Sequence, residues 1–381
     1  MVDFTSSLYL GLDHPSAAVA PWRHLTSGVP AALADPEGAV ELAAALAALI
    51  GGERALLMPS TLHLFVDFFT SALSNAALFW DEALYPVARW GIELAARRGI
   101  PATPLPHLGE GLDAAWFARR TPTGRRPVIV TDGFCTGCGR EAPLGRYVEV
   151  VQRRSGLVVL DDTQALGLFG TSPSREEPFG ANGGGSLRRQ NLAGAPIVVG
   201  ASLAKSFGVP LAVVTGPARV IAAFAEGSAM RSHTSPPSAP LIHAGRAALA
   251  LSARRGGELR RRLARRIDEF RRATAAIGLA LAGGAFPVQS VIGPVDDGET
   301  DVGPDDDTLR AHEILQALGI RTVITRPACR RRRALTFVLR ANHRRDELEH
   351  ALRALGTTVR PRRGSAPLPY PARQLSPGGF P

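Results

Sequence analysis

Lys205 is the only lysine in this sequence, and the other 43 of its 44 basic residues are arginines. Arginine can carry charge and bind phosphate, but its guanidinium does not lose its proton at neutral pH. A lysine amine can do so and attack a carbonyl, which makes Schiff-base chemistry one interpretation of Lys205. The other is a compositional bias that replaced lysines with arginines and left one by chance. The count alone favours neither, so the neighbouring residues must decide.

Other polar residues could complete a site around that amine. Asp161 and Asp162 follow the apolar run 156–160, and Ser202 lies three residues before Lys205. A buried carboxylate is costly without a partner, and pyridoxal phosphate needs a carboxylate under its pyridinium nitrogen. An Asp-Asp pair by itself is more typical of a helix cap or a metal ligand. Followed by Ser202-x-x-Lys205, it predicts a carboxylate, an amine and a phosphate-binding hydroxyl on neighbouring loops of one sheet edge.

The cysteines allow several interpretations. Cys135 and Cys138 form a CxxC pair, and Cys329 lies far along the chain. Three cysteines are too few for a disulfide framework and fit a reducing compartment. A CxxC pair can be redox-active or half of a zinc site, but no second pair has metal spacing. We therefore expect unpaired thiols lining the cofactor pocket, no metal site, and surface or hydrogen-bonded roles for His14, His24, His63 and His107.

The elements that must position these residues alternate between strands and helices. Apolar runs without alternating polarity predict buried parallel strands at 54–58, 76–80, 100–105, 127–131, 156–160, 196–200 and 211–215. Helical patterns such as 37–50, 86–98 and 144–154 accompany them. The last connection, 201–210, is too short for a crossover helix and predicts one antiparallel strand. The expected fold is an α/β sheet of seven mostly parallel strands with ligands at the strand carboxyl ends.

After Pro236-Pro237 the pattern changes to that of a smaller α+β domain. Helices are expected at 238–253, 256–277, 306–318 and 344–355, and strands at 287–292, 321–324 and 334–339. The predicted organisation is an N-terminal arm and helix (1–50), a large domain (51–237), a small C-terminal domain (238–357) and a tail (358–381). The arm is expected to lie on another surface. The tail is rich in Pro, Gly and Arg, so we expect it to be disordered.

The net charge of +10 and a pI near 10.7 raise the possibility of nucleic-acid binding. Basic residues concentrate at 254–272 and 330–333, but the first stretch has apolar residues at helical spacing. Its arginines are therefore expected on the solvated face of a helix. No nucleic-acid-binding motif accompanies them, and attraction of a polyanionic small substrate explains the charge equally well. The sequence has neither a membrane span nor a signal peptide, which favours a cytoplasmic location.

The motifs together resemble the α-oxoamine synthases, which are fold-type I pyridoxal phosphate enzymes related to aminotransferases of class I/II. The resemblance rests on Thr131-Asp-Gly-Phe134, Ala142-Pro-Leu144, Val159-Leu-Asp-Asp162 and Ser202-Leu-Ala-Lys-Ser-Phe-Gly208. It extends in order over residues 25–355 and includes Ser235-Pro-Pro237, where the family turns from its large to its small domain. It implies a fold-type I transferase that uses pyridoxal 5'-phosphate.

The resemblance also implies roles for individual residues. Lys205 would form the Schiff base with the cofactor, Asp161 would hold the pyridinium, and Tyr85 would stack on the ring. The remaining cofactor-binding positions would be Gln164, Thr136, Ser202, Ser60, Thr61 and Leu62, together with His233 and Thr234 from a neighbouring subunit. The implied partner is therefore a second copy of the chain in a homodimer. Arg333 and Arg340 are the candidates for binding the carboxylate of an amino acid substrate.

Several positions depart from the family pattern. Tyr85 and Gln164 replace histidines, no arginine occupies 334–336, and residues 172–195 form a Gly-rich insertion. The resemblance implies a carbanion at the Cα of an amino acid that condenses with an acyl thioester, such as acyl-CoA or an acyl carrier protein. The departures leave open another pyridoxal phosphate reaction, such as transamination or a condensation in specialised metabolism. A non-catalytic basic nucleic-acid-binding protein is the more distant alternative.

Overall fold

The computed structural model describes residues 1–14, 25–73, 75–292, 304–330 and 332–359. His24 and the tail from residue 360 onward, where disorder was expected, lie outside these ranges. Within them, no helix is both long enough and apolar enough to cross a membrane.

The elements of the described residues begin with a two-residue strand and end with a helix. The strands are β1 (Val2–Asp3), β2 (Arg54–Met58), β3 (Ala76–Asp81), β4 (Ala102–Leu105), β5 (Arg126–Asp132), β6 (Phe134–Cys135), β7 (Arg140–Glu141), β8 (Leu157–Asp161), β9 (Ile197–Ser202), β10 (Ala212–Gly216), β11 (Ala280–Ala282), β12 (Val288–Ile292), β13 (Ile320–Arg321), β14 (Val323–Thr325) and β15 (Ala334–Val338). The helices are α1 (Ala39–Ile50), α2 (Thr61–Ser71), α3 (Pro86–Arg97), α4 (Ala114–Arg120), α5 (Leu144–Gln152), α6 (Ser186–Arg189), α7 (Ala218–Gly227), α8 (Ala229–His233), α9 (Ala239–Ala276), α10 (Pro304–Ala317) and α11 (Arg345–Thr358).

Seven strands form the central sheet, in the order β2-β10-β9-β8-β5-β3-β4. β10 runs antiparallel to both of its neighbours, while the other pairs are parallel. Adjacent residues of one strand enter different hydrophobic cores: Val158 packs with one cluster and Val159 with the other. Burial on both faces explains why these strands lack alternating polarity. The predicted α/β fold with one antiparallel strand is confirmed.

The C-terminal part is built on an antiparallel sheet in the order β11-β12-β15-β14, packed with α9, α10 and α11. The N-terminal arm lies on this part. β1 pairs in parallel with β13, and Phe4, Tyr9 and Leu10 are buried in the same core. The sequence predicted that the arm lies on another surface without saying which. That surface is the C-terminal core of the same chain.

The prediction of two helices, at 238–253 and 256–277, is wrong, because α9 is one helix of 38 residues that runs through Gly256 and Gly257. A glycine in a helix interior costs about 1 kcal/mol, which packing at both ends can override. Ile242 lies in a core of the central sheet, whereas Leu263 and Phe270 lie in the C-terminal core. At 1.5 Å per residue, α9 is about 57 Å long and connects the two cores.

The insertion at 172–195 folds back on the chain. It contains α6, and isolated β-bridges join Leu166 to Gly184 and Thr171 to Ala181. The Arg189 guanidinium lies 5.0 Å from the centre of the Phe169 ring. The insertion therefore belongs to the packed structure beside β8.

Candidate active site

The carboxyl ends of the parallel strands carry a row of polar residues. Asp132 pairs in register with Asp161, and Asp161 pairs with Gly200. Ala212 pairs with both Ser202 and Met58, so the loop that follows β2 reaches the same edge. Because adjacent strands lie about 4.8 Å apart, positions separated by one strand are about 10 Å from each other. This edge is the candidate active site.

Asp161 is buried at the end of β8. The Thr163 N–H donates to its Oδ1 at 3.0 Å, and the Thr163 hydroxyl accepts from the Ser202 N–H at 3.0 Å. Burial raises the pKa of Asp161, while the Thr163 hydrogen bonds and the charge of Lys205 oppose that shift. The Thr163 side chain thus joins the loop bearing the carboxylate to the loop bearing the lysine.

Lys205 lies in a tight turn between β9 and β10. The turn is closed by the Leu203 N–H donating to the Leu211 carbonyl at 2.7 Å. Gly208 has a φ of +67°, and a Cβ there would collide with the Leu12 carbonyl. Burial lowers the pKa of the Lys205 amine, and the nearby charge of Asp161 partly offsets this. At a given pH, a larger fraction of the Lys205 amine is therefore neutral and nucleophilic than in an exposed lysine.

A helix N-terminus faces this edge after β2. Ser60 is the N-cap of α2, and its Oγ accepts from the His63 N–H at 3.3 Å. Thr61 and Leu62 form the first helical turn, where backbone N–H groups lack intrahelical acceptors. The Ser202 hydroxyl accepts from the Ala204 N–H at 3.2 Å. These groups are of the kind that bind phosphate.

Tyr85 and Gln164 occupy different environments. The Tyr85 side chain is 55% exposed, and its backbone N–H donates to Asp132 Oδ2 at 3.0 Å. Gln164 Oε1 accepts from the buried Tyr9 hydroxyl at 2.6 Å. The N-terminal arm therefore supplies a residue, Tyr9, that sequence reasoning did not connect with this edge.

Asp132 is a further carboxylate that sequence reasoning did not assign to the site. Its Oδ1 is buried without a hydrogen-bond partner among the described residues. Burial, reinforced by the charge of Asp161, raises its pKa well above the usual range. The signal in the sequence was its position directly after a buried strand, the same signal that identified Asp161.

The remaining predicted residues lie in three other places. His233 ends α8 and Thr234 follows it, and the Thr234 carbonyl accepts from the Ala31 N–H at 3.0 Å. Thr136 lies in the hairpin of β6 and β7. Arg333 is exposed directly before β15, while an Arg340 guanidinium N–H donates to the Asp3 carbonyl at 3.1 Å. Arg340 thus anchors the N-terminal strand.

Asp162 differs from its neighbour because Ser186 satisfies both of its oxygens. The Ser186 N–H donates to Oδ2 at 2.9 Å and the Ser186 hydroxyl to Oδ1 at 2.5 Å. Burial raises the pKa of Asp162 to about 7. The folded chain therefore binds this proton more tightly than the unfolded chain, so stability is lost as the pH rises from about 4 to about 7.

Asp162→Asn should remove this loss, which is on the order of 4 kcal/mol. The asparagine can keep both contacts, because the Ser186 hydroxyl can accept where it now donates. Thermal unfolding at about pH 5 and about pH 8 should show a larger gain for the variant at the higher pH. An equal gain at both pH values would contradict the proposed titration.

Gly185 packs closely against the Asp162 carboxylate. It has φ 85° and ψ −165°, and a Cβ there would collide with Asp162 Oδ2. Gly185→Ala should lower the free energy of unfolding by about 3 kcal/mol or more, as measured by denaturant titration. Gly194→Ala is the matched control, because Gly194 has φ +79° with open space around it. Gly194→Ala should lower the free energy of unfolding by about 1 kcal/mol. If the two variants were destabilised equally, backbone strain alone would explain the loss at Gly185.

A second group of reactive side chains lies beside this edge. His107, Cys135, Cys138 and Cys329 place their ligand atoms within 4.8 Å of one another. Cys135 Sγ is 3.6 Å from Cys329 Sγ, and His107 Nε2 is 3.2 Å from Cys138 Sγ. The expectation of no metal site depended on the sequence distance of Cys329 from the CxxC pair. In the folded chain Cys329 lies next to the CxxC pair. No pattern in the sequence pointed to His107.

Comparisons with known proteins agree with this architecture. The chain is 27% identical over 371 residues to 8-amino-7-oxononanoate synthase of Alcanivorax borkumensis, covering 93% of this chain and 88% of that protein. A structure of serine palmitoyltransferase with its pyridoxal phosphate internal aldimine has a TM-score of 0.76 at 16% identity, covering 93% of this chain and 86% of that chain. The structure of the 8-amino-7-oxononanoate synthase of Francisella tularensis has a TM-score of 0.68 at 18% identity. The match covers 93% of this chain and 97% of that chain. No protein-family model matches the chain. The chain thus has the fold-type I architecture of these structures and resembles the α-oxoamine synthases in sequence.

Proposed function

We propose that this chain is a pyridoxal phosphate-dependent transferase that condenses an amino acid with an acyl thioester. The observation that carries the proposal is the pair formed by Lys205 and Asp161. The two lie on neighbouring loops of one sheet edge, and each shifts the pKa of the other. A half-buried amine beside a buried carboxylate matches the needs of a cofactor that carries both an aldehyde and a pyridine nitrogen.

The residues present fit pyridoxal phosphate. Asp161 is buried and can accept a hydrogen bond from a protonated ring nitrogen, which would offset the cost of burying its charge. The N-terminus of α2 and the Ser202 hydroxyl would hold the phosphate. Tyr85, a large and exposed aromatic side chain, would cover the ring face, and Gln164 would hydrogen-bond the ring hydroxyl.

When bound, the cofactor supplies an electron sink for a carbanion at the substrate Cα. Asp161 keeps a proton on the ring nitrogen and thereby maintains that sink. The Lys205 amine removes the Cα proton as general base, and its lowered pKa makes the neutral form available nearer to neutral pH. The hydrogen bond from the Ser202 N–H to the Thr163 hydroxyl holds the loops of the base and the carboxylate together.

The acyl partner is proposed from the relatives and from charge. An 8-amino-7-oxononanoate synthase is similar to this chain over most of its length. The net charge of +10 suits the phosphates of acyl-CoA or of an acyl carrier protein. Arg333 and Arg340 are the proposed arginines for the substrate carboxylate, and an Arg340 guanidinium N–H also donates to the Asp3 carbonyl. We further propose a cytoplasmic homodimer in which His233 and Thr234 reach the phosphate of the neighbouring subunit.

The test is the exchange of the Cα hydrogen of each amino acid with deuterated solvent, followed by mass spectrometry with and without acyl-CoA. We expect exchange for a narrow set of amino acids and product only when the thioester is present. Turnover that consumes a keto acid and ignores the thioester would instead establish transamination. The replacement of both family histidines by Tyr85 and Gln164 favours that second candidate.

A further inference from the structure

We propose that His107, Cys135, Cys138 and Cys329 bind one zinc ion that ties the C-terminal sheet to the edge of the central sheet. The four ligand atoms lie within 4.8 Å of one another, and all four residues are half-buried. The inference is independent of the proposed function, because it concerns neither Lys205 nor the pyridine site.

The spacing of the ligand atoms matches a zinc tetrahedron. With Zn–S bonds of about 2.3 Å, the sulfur atoms of a tetrahedral site lie about 3.8 Å apart. The Cys135–Cys329 sulfur distance is 3.6 Å, and the distance from His107 Nε2 to Cys138 Sγ is 3.2 Å. Three thiolates and one imidazole select zinc over the oxygen-preferring cations Mg²⁺ and Ca²⁺.

The imidazole is held in the orientation that a ligand requires. His107 Nδ1 lies 2.9 Å from Asp81 Oδ1, which leaves Nε2 directed at the thiols. Asp81 is fixed in turn by the N–H groups of Ala83 at 2.8 Å and Leu108 at 2.9 Å. Metal-bound histidines use such a carboxylate to set the ring tautomer and orientation.

The CxxC loop is shaped for close approach to the third cysteine. A Cβ at Gly137 would lie 2.5 Å from Pro327 Cβ and 2.6 Å from Cys329 Sγ. The Gly139 N–H donates to the Cys135 carbonyl at 2.8 Å, and Gly139 has a φ of +74°. A side chain at Gly137 would push the loop that carries Cys329 away from the other thiols.

The ligands come from parts of the chain that are far apart in sequence. His107 follows β4, the CxxC pair lies in the hairpin of β6 and β7, and Cys329 lies between β14 and β15. Four protein ligands leave no open coordination position, which indicates a structural role for the zinc. The ion would act as a cross-link between the two sheets and would fix the hairpin that carries Thr136.

The experiment uses the full chain, purified without a histidine tag after growth with zinc. Elemental analysis should find about one zinc ion per chain, and X-ray absorption should give about three sulfur neighbours at 2.3 Å and one nitrogen near 2.0 Å. Removing the metal with a chelator should lower the melting temperature by about 5 °C or more. Cobalt added to the stripped protein should produce the visible bands of a tetrahedral thiolate site, and this readout needs no variant.

Cys329→Ser and His107→Gln should each lower the zinc content at least about tenfold. His350→Gln is the matched control, because His350 is a half-buried histidine outside the cluster, and this variant should keep its zinc. These measurements do not depend on pyridoxal phosphate, so they stand whether or not the chain binds that cofactor. A native protein that takes up no zinc or cobalt would overturn the proposal. So would a mass two daltons low, which would reveal a disulfide.

Discussion

Replacing Lys205 with arginine is expected to reduce turnover by about 10³-fold or more, because the nucleophile and the general base are lost together. The arginine keeps a positive charge beside Asp161, so the melting temperature should change little. Lys205→Ala should have the same effect on turnover and should also leave Asp161 without its cation. Turnover is measured with the amino acid and thioester pair identified by hydrogen exchange, and folding by thermal unfolding.

The unusual composition allows a sharper form of this test. Because the chain has a single lysine, borohydride reduction of the cofactor-loaded protein should attach a pyridoxyl label to one internal peptide, the one that contains Lys205. The N-terminal amine of Met1 is the control position and should remain unlabelled. Substantial activity in Lys205→Arg, or a label elsewhere, would exclude the proposed role of this residue.

Asp161→Asn is expected to reduce turnover by about 10²–10³-fold, because the neutral amide no longer favours a protonated ring nitrogen. The affinity for pyridoxal phosphate, measured by spectral titration, should fall as well. The neighbouring Asp162→Asn is a matched control. Both carboxylates are buried at the end of β8, but Asp162 is bonded to Ser186. Its variant should keep its activity and change only stability.

Comparing the Asp161→Asn and Asp162→Asn variants separates a specific catalytic role of Asp161 from a general effect of removing a buried charge. If both variants lost activity equally, the loss would reflect disruption of the strand end. If neither lost activity, Asp161 would not be the partner of the ring nitrogen, and Asp132, whose Oδ1 is buried, would become the next candidate.

The sequence alone predicted the sheet because its signal is local. The inner strands of the central sheet are buried on both faces and therefore read as short apolar runs, as in 127–131 and 156–160. The short connection 201–210 likewise predicted that β10 is antiparallel, since no crossover helix fits there. The prediction failed where packing overrode a local signal. The sequence predicts separate helices at 238–253 and 256–277, but α9 continues between them because residues toward both of its ends are buried.

By itself, the sequence predicted one amine and one carboxylate at the same edge of the sheet, because Lys205 and Asp161 each follow a strand that the pattern identifies. Only the tertiary structure brought Tyr9 to Gln164 and placed Arg340 on Asp3. It also gathered His107, the CxxC pair and Cys329 at one point. These contacts join residues far apart in the chain. They depend on how the arm and the C-terminal sheet pack against the central sheet, which no local spacing encodes.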